Sequence, residues 1–282
     1  MSQLSKKIIP PCPDFNYRYM YTDCCGHVIL IPITCRSRSC PYCSRISARR
    51  VYSRYRDFFG SLSSDKIISY ALITLTTLPT ASGSLSDTYR LAKRSLSKLF
   101  RYQDWTSNIL GGLYCFEVST RPDGSYHLHI HILVRVRDDV IIQSFPIKKS
   151  GVSRLSANLG GLSPTRLSEV WKSLTGAYIV DVFPCYESIE KVSSYLMKYL
   201  SKVPRMHTSS QRIEYDKTFF NTRRLSLFGV YYSGLNSFTR PNMTCLACGR
   251  GRYTISGEFL GFISSSSRKE LRNRGLLLDV YG

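Results

Sequence analysis

Acidic residues are scarce in this chain of 282 residues, which has 19 Asp and Glu against 39 Lys and Arg and a formal net charge of +20. Such an excess favours a polyanionic partner, because cationic side chains release the counterions condensed on nucleic acid whatever its base sequence. An anionic membrane surface would attract the same charge, but the sequence has neither a basic amphipathic anchor nor a lipidation motif. Nucleic acid is therefore the predicted partner.

Long apolar runs and ATP-binding loops are missing as well. No eighteen consecutive apolar residues occur, and Pro10, Pro11 and Pro13 interrupt the first residues before an apolar run develops. We therefore expect neither a membrane-spanning helix nor a secretory signal. No G-x-x-x-x-G-K-[ST] loop occurs, which argues against a P-loop ATPase motor. These absences predict a cytoplasmic protein that depends on other proteins for ATP-driven steps.

The sequence changes character twice, which predicts three segments. Residues 1–62 hold six of the ten cysteines and a run of seven arginines without an acidic residue, from Arg36 to Arg56. Residues 63–203 alternate β-type and helical patterns and predict the main α+β domain. Residues 204–282 have weaker β-leaning patterns and a late basic helix near 266–274, and their role stays open.

Periodicity predicts the individual elements. Strands are expected at 67–78, 112–120, 127–136 and 178–183, and helices at 43–59, 86–102, 165–174 and 188–202. The stretch from Gln143 to Pro164 is rich in Ser, Gly and Lys and is interpreted as a loop or insertion. A hydrophobic content of 43% in a chain of this length excludes general disorder.

The cysteines near the N-terminus have the spacing of metal ligands. A C-x-x-C knuckle presents two thiolates at the separation that tetrahedral zinc requires. The four predicted ligands of a structural zinc ion are Cys25, Cys35, Cys40 and Cys43. Cys24 or His27 is an alternative to Cys25, and a set of buried free thiols is the alternative to a zinc site.

A second knuckle is formed by Cys245 and Cys248. It has no obvious partner pair nearby, so only the distant Cys12 or Cys24 would complete a four-ligand site. A second zinc ion therefore stays an open question.

The helix predicted after the first knuckle is strongly basic. Arg45, Arg49 and Arg50 lie on it, in a stretch without acidic residues. A helix whose start is fixed by zinc would hold these guanidinium groups ready for DNA phosphates. A solvated basic face is the alternative.

Residues 126–134 contain three of the five histidines at alternating positions. Because successive side chains of a strand point to opposite faces, His127, His129 and His131 share one face and the apolar residues between them share the other. Histidine is a common metal ligand, so this face predicts a metal site. A polar face on a half-exposed strand is the alternative.

The segment Arg121–Gly124 has the signature of a three-residue hairpin loop, with Pro at the second turn position and Gly where φ is positive. This loop places Glu117 opposite His129. A carboxylate beside two imidazoles forms a three-ligand site that suits Mg²⁺ or Mn²⁺ on a phosphate. The third ligand is either Glu117 or His127, and a salt bridge is the alternative role of Glu117. On the predicted strand 112–120, which carries Glu117, the residues Tyr114, Phe116 and Val118 are predicted to face the core.

Tyr195 and Tyr199 lie four residues apart on the predicted helix 188–202 and so stand on one flank of it. A phenol with a reference pKa of about 10 is a weak nucleophile at neutral pH. A divalent ion that polarises a phosphate and a nearby lysine lower that barrier. Both tyrosines are therefore candidate nucleophiles, with Lys198 as a catalytic cation and Lys202 as a DNA contact. Packing at the core edge is the alternative.

Together these motifs resemble those of HUH-type rolling-circle replication initiators, the replication proteins of plasmids and single-stranded DNA phages. His129-Ile130-His131 resembles the HUH motif, Ile73–Thr76 the first motif, and Tyr195–Tyr199 the third motif in its two-tyrosine form. The Cys35–Cys43 segment is similar to the zinc region of many plasmid Rep proteins. The resemblance covers residues 25–203, and Leu128 stands where many members have proline.

The resemblance implies a central five-stranded antiparallel sheet with flanking helices, and an endonuclease domain at 63–203 that nicks one strand of origin DNA. The implied products are a 5′-phosphotyrosine and a free 3′-OH that primes a host polymerase, with a host helicase as a further partner. Mg²⁺ or Mn²⁺ is implied for catalysis. A transposase or relaxase with the same chemistry, and a non-enzymatic zinc-containing protein that binds single-stranded nucleic acid, are the alternatives.

Overall fold

The computed structural model describes residues 16–22, 28–32, 37–62, 69–149, 152–185, 196, 198–200, 202–223, 225–232, 248, 253–262, 270 and 273. The strands are β1 Asn16–Thr22, β2 Val28–Pro32, β3 Tyr70–Thr76, β4 Ile109–Thr120, β5 Tyr126–Val136, β6 Ile142–Lys149, β7 Val152–Leu159, β8 Val180–Cys185, β9 Leu225–Gly229 and β10 Tyr253–Phe262. The helices are α1 Pro41–Leu62, α2 Leu85–Leu99, α3 Gln103–Asn108, α4 Pro164–Thr175 and α5 Ser209–Phe219. In these ranges no helix has both the length and the apolar character needed to span a membrane.

Five antiparallel strands form the central sheet, in the order β8-β3-β5-β4-β9. The predicted α+β class and five-stranded antiparallel sheet are therefore confirmed. Four of the strands come from the predicted segments. The fifth, β9, follows residue 203 in the chain.

The chain divides into two compact units, residues 1–46 with 239–282, and residues 47–238. These limits differ from the predicted segments 1–62, 63–203 and 204–282. The first unit contains a three-stranded sheet in the order β10-β1-β2. The second contains the five-stranded sheet and helices α2 to α5.

One face of the five-stranded sheet is mainly apolar, because alternate residues of its strands point into a single cluster with α2 and α4. From β5 this cluster takes Leu128, Ile130 and Ile132, each no more than 1% exposed. Val118 is buried there, and Tyr114 and Phe116 pack against its edge, as predicted. The two tryptophans, Trp105 and Trp171, are fully buried in it.

The other face carries a smaller apolar cluster that covers only part of it. Leu72, Leu113 and Leu133 of the sheet pack there against Ala48 and Tyr55 of α1. The Tyr55 hydroxyl donates to the carbonyl of Leu225 at 3.3 Å, which ties α1 to the edge strand β9. This face also holds the histidines of β5, beyond the part that the apolar residues cover.

Several elements differ from the prediction, which included neither β1 and β2 nor the short helix α3. The stretch 143–164, predicted as a loop, forms the antiparallel pair β6–β7 and the start of α4. Its strands mix Ser, Lys and apolar residues without strict alternation, so the period-two signal of a strand is weak. Helix α5 was predicted only as β-leaning sequence, and a capping box formed by Thr208 and Gln211 starts it.

Candidate active site

The β4–β5 hairpin aligns the candidate ligands as predicted. The Arg121 amide donates to the carbonyl of Ser125 at 2.9 Å, and Gly124 takes the positive φ of +80° that the loop requires. In the resulting register Glu117 lies directly opposite His129. Directly opposite residues of antiparallel strands project from the same face. Glu117 and the histidines therefore share one face of the sheet.

Strand β3 extends this arrangement on the other side of β5. Thr76 lies opposite His129 and Thr74 opposite His131, so two threonines join the histidine face. The Thr74 hydroxyl is 3.2 Å from Nδ1 of His131. We call Glu117, His129, His131, Thr74 and Thr76 the histidine row. In the sequence, Thr74 and Thr76 stand out only as part of the motif Ile73–Thr76. Their position beside the histidines becomes visible when the strands are paired.

Glu117 is buried at 7% exposure, and both of its carboxylate oxygens have partners. Nε2 of His131 donates to Oε2 at 2.8 Å, and the Lys202 ammonium contacts Oε1. Burial raises the pKa of the Glu117 carboxyl, but the hydrogen bonds from His131 and Lys202 outweigh it and lower the pKa to about 2. Glu117 is thus a carboxylate at neutral pH.

The other two histidines are neutral at that pH. Burial and the neighbouring His127 lower the pKa of His129 to about 4, against the opposing effect of Glu117. Burial and the charge of Arg121 lower the pKa of His127. Nε2 of His127 donates to the carbonyl of Thr77 at 3.1 Å, because a carbonyl only accepts. Neutral imidazole is the form that binds a metal ion.

Tyr199 lies against the histidine row. Its ring stacks on the His131 imidazole with centroids 3.6 Å apart and planes 15° from parallel. Leu196 and Leu200, buried in the cluster of the histidine face, anchor the segment that carries Tyr199. Lys198 is exposed, and Tyr195 lies outside the described residues. The structure therefore brings one of the two candidate nucleophiles to the predicted ligands.

The donor types fit a divalent ion, since a buried carboxylate stands beside imidazoles. Within the described ranges, however, no three His, Cys, Asp or Glu side chains are arranged as a metal site. Nε2 of His131 carries the proton that it donates to Glu117, so a metal ion bound by both side chains would replace this hydrogen bond. Lys202, predicted as a DNA contact, is in this arrangement the ion-pair partner of Glu117.

A second carboxylate shares this face and was missed as a candidate. Asp181 of β8 lies opposite Thr74, which in turn lies opposite His131. The side chains of all three therefore project from one face of the sheet. In the sequence, Asp181 is marked only by its place in the predicted strand 178–183. Its neighbours Thr74 and His131 become known only from the order of the strands in the sheet.

The predicted zinc segment is described only in part. Cys40 precedes α1 and Cys43 is buried in its first turn, with the Cys43 amide donating to Sγ of Cys40 at 3.5 Å. The remaining candidates lie outside the described residues, namely Cys12, Cys24, Cys25, His27, Cys35 and Cys245. Cys248 is exposed. The zinc site stays a prediction.

The three predicted phosphate-binding arginines, Arg45, Arg49 and Arg50, lie on α1 and are exposed. Exposure on one helix is the arrangement that the prediction requires, since a buried guanidinium would be unavailable to DNA. Their contact with DNA stays a prediction.

Known proteins are similar to the part of the chain that includes the histidine row. Residues 27–145 match the Rep_1 family, described as a replication protein. A Protein rep of Lentilactobacillus hilgardii is 30% identical over 104 residues, which cover 36% of this chain and 33% of that protein. A Protein rep of Lactiplantibacillus plantarum is 28% identical over 106 residues, with the same shares of 36% and 33%.

The chain thus spans about a third of the length of the curated relatives it matches. No solved structure matches it significantly. The family match includes all five members of the histidine row and ends before Tyr199. Residues 27–145 are thus similar to a replication protein family, and the resemblance to plasmid rolling-circle replication initiators predicted from the sequence is confirmed.

Proposed function

We propose that this protein initiates rolling-circle replication by nicking one strand of origin DNA in a sequence-specific manner and joining the 5′ end to a tyrosine. The observation that carries the proposal is the stack of Tyr199 on His131, inside a row that also holds Glu117 and His129. A candidate nucleophile, a carboxylate and imidazoles meet there on one face of the sheet. That combination suits phosphoryl transfer more than binding alone.

In the proposed reaction the Tyr199 phenolic oxygen attacks the scissile phosphorus and loses its proton. The bond from phosphorus to the 3′ oxygen breaks, and that oxygen takes up a proton. The products are a 5′-phosphotyrosine and a free 3′-OH, so one phosphodiester replaces another without net hydrolysis. The free 3′-OH would prime a host polymerase. In a second step Tyr195 would cleave another phosphodiester in the same way, and the 3′-OH that this frees would attack the Tyr199 phosphotyrosine, which rejoins the strand and releases the Tyr199 hydroxyl.

The residues of the row have distinct roles in this proposal. Glu117, His129 and His131 would hold Mg²⁺ or Mn²⁺, with His127 as the alternative third ligand, and the ion supplies polarisation of the scissile phosphate. Thr74 holds the His131 imidazole in its orientation through Nδ1. Lys198 and Lys202 would stabilise negative charge on the phosphate.

The other predicted parts complete the proposal. A zinc ion on Cys25, Cys35, Cys40 and Cys43 would fix the start of α1, and Arg45, Arg49 and Arg50 would bind DNA phosphates. A host helicase would separate the strands. The protein would act in the host cytoplasm.

The test is covalent adduct formation. The purified protein is incubated with Mn²⁺ and single-stranded oligonucleotides tiled from the replicon that encodes it, and adducts are separated on a denaturing gel. Variants Tyr195→Phe, Tyr199→Phe and the double variant are compared with Tyr102→Phe, an exposed tyrosine outside the row.

We expect an adduct that requires metal, persists in Tyr102→Phe and disappears in the double variant. Loss in only one single variant identifies the first nucleophile. Tight binding without an adduct on any tile would overturn the proposal in favour of a single-strand-binding protein.

A further inference from the structure

A short segment connects the two faces of the five-stranded sheet. Residues 202–208, which we call the strap, run from the segment that carries Tyr199 to the start of helix α5. At one end of the strap the Lys202 ammonium contacts Glu117 on the histidine face. At the other end α5 lies on the apolar face, where Phe219 is buried in the cluster with α2. The strap therefore passes around an edge of the sheet.

The strap crosses the sheet at the end of β4 that β9 does not reach. In the described ranges β9 pairs with β4 only from Gly111 to Cys115, so the last residues of β4 have an open edge. The Thr120 hydroxyl donates there to the carbonyl of Arg205. Pro204, next to Arg205, is buried. The middle of the strap is thus attached to β4.

Gln211 of α5 attaches the far end of the strap to the β4–β5 hairpin. This residue is only 3% exposed. Its Nε2 donates to the carbonyl of Gly124 at 2.9 Å, and its Oε1 accepts from the amides of His207 and Thr208 at 2.8 and 3.3 Å. One side chain therefore joins the end of the strap to the loop that sets the register of β4 and β5.

Helix α5 is itself anchored through Glu214. Its Oε1 accepts from the Leu85 amide and its Oε2 from the Gly83 amide, each at 2.9 Å. The carboxylate thus takes the place of a cap at the start of α2, where the Ser84 side chain makes no capping hydrogen bond. The Tyr126 hydroxyl donates to Oε2 at 2.9 Å as well. Helix α5 is therefore a fixed point at one end of the strap.

We propose that the strap positions the Tyr199 ring against the His131 imidazole, and that Gln211 and Thr120 are the positioning residues that hold the strap. Lys202 begins the strap three residues after Tyr199, and three residues span at most about 10 Å. A displacement of the strap is therefore transmitted to the stacked ring. The consequence for nicking rests on the proposed function, whereas the position of the ring does not.

Gln211→Glu separates the attachment of the strap from the capping of α5. Glutamate at this position of a capping box still accepts from the amides of His207 and Thr208, so the start of the helix is kept. An ionised carboxylate has no proton to donate to the carbonyl of Gly124, which only accepts, so the attachment to the hairpin is lost.

Thr120→Val is the second variant, because it removes the hydroxyl that donates to Arg205 and keeps nearly the same side-chain volume. Ile213→Ala is the matched control, since Ile213 lies on the same helix as Gln211 and is 52% exposed. A thermal melt checks that each variant is folded. Thr120→Val alone decides the test if the double variant with Gln211→Glu is unfolded.

The position of the ring is measured by NMR in EDTA and without DNA. A stacked aromatic ring moves the ring-proton resonances of an imidazole upfield, so the His131 signals report the stack, and Tyr199→Leu gives the reference without the ring. A pH series separates this shift from a change in protonation. We expect Thr120→Val with Gln211→Glu to move the His131 signals towards the Tyr199→Leu values, each single variant to move them less, and Ile213→Ala to leave them unchanged.

The second measurement separates positioning from DNA binding. The double variant should bind a single-stranded oligonucleotide in EDTA within about twofold of the wild type. At saturating DNA with Mn²⁺ it should form the adduct up to about 100-fold more slowly, since a misplacement of about 1 Å can cost that much in rate. A folded double variant with wild-type His131 signals would overturn the inference, as would a loss of binding without a loss of rate.

The outcomes separate this inference from the proposed function. If the His131 signals stay in place while the wild type forms adducts, the strap inference fails and the nickase stands. If the signals move as expected and the wild type gives no adduct on any DNA tile, the strap inference holds and the nickase proposal fails.

Discussion

The two faces of the five-stranded sheet are built from the same strands but differ in content. On one face, alternate residues of β5 are Leu128, Ile130 and Ile132, buried beneath α2 and α4. On the other face, the residues between them are His127, His129 and His131, at the border of a smaller apolar cluster. A period of two lets a single strand supply a core with one set of side chains and a candidate site with the other.

The histidine row depends on the apolar face of the same sheet for its position. His131 is held by hydrogen-bond partners on both neighbouring strands, Thr74 and Glu117. The strands that carry them are fixed by the apolar face behind. Stability and candidate chemistry should therefore be separable by substitution, face by face.

The largest loss of stability is expected from Trp171→Ala on the apolar face. This indole is fully buried and donates to the carbonyl of Thr76, so the change removes both a large volume and a hydrogen bond. We expect a loss of about 3–5 kcal/mol in the free energy of unfolding, measured by urea denaturation. Leu91→Ala, at an exposed site of α2, is the control and should stay within about 0.5 kcal/mol. A loss below about 1 kcal/mol at Trp171 would contradict the burial.

Neighbouring residues of β5 sharpen the comparison. Leu128→Ala should cost about 2–5 kcal/mol, because it opens a cavity in the apolar cluster. His127→Ala, one residue away on the other face, should cost less than about 1 kcal/mol, since its side chain is half-buried. Both are measured in the same urea experiment. Equal losses would show that the two faces are not distinct in stability.

Glu117→Gln removes a buried negative charge from the histidine face. The folded-state pKa of about 2 lies below the ordinary value of 4.5, so the ionised carboxylate stabilises the protein above about pH 4.5. This stability is lost as the pH falls through 2. We expect the wild type to exceed the variant by roughly 2–3 kcal/mol at pH 7, and the difference to shrink between pH 4.5 and 2.

Stability against pH from denaturant melts measures that difference. The control is Glu169→Gln, an exposed carboxylate whose loss should change stability by less than about 0.5 kcal/mol. A difference between wild type and Glu117→Gln that is constant with pH would contradict the depressed pKa.

The smallest effect on stability is expected at Tyr199. Phenylalanine keeps the ring that stacks on His131, so Tyr199→Phe should change the free energy of unfolding by less than about 1 kcal/mol. The proposed adduct with DNA should nevertheless fall sharply. A variant that unfolds easily would show that the hydroxyl serves the fold instead of the chemistry.

Local patterns carried the most accurate predictions. The Pro122, Asp123 and Gly124 loop determines the register of β4 and β5, and that register alone puts Glu117 opposite His129. Both signals lie within a few residues of one another, where turn chemistry and side-chain alternation act directly.

Contacts between residues far apart in the chain could not be predicted from local sequence patterns. Lys202 reaches Glu117 across 85 residues, and nothing in either sequence neighbourhood distinguishes that ion pair from a DNA contact. Likewise β9 joins the sheet from a segment whose role stayed open, since strand order depends on packing with the whole sheet. The sequence predicts a loop where β6 and β7 pair, because Ser and Lys weaken the alternation of apolar residues in both strands.

The division of the chain into two units has a consequence for the order of folding. Strand β1 pairs with β10, so Thr22 lies opposite Tyr253, and the intervening chain includes the whole second unit. The entropy cost of closing a loop grows with its length, and such distant pairings form slowly. During synthesis the second unit can fold as soon as β9 has emerged. β1 and β2 are close in the chain and can pair early, but the sheet β10-β1-β2 is complete only when β10 is present, so we expect the β1–β10 pairing to be the last strand pairing of the described residues to form.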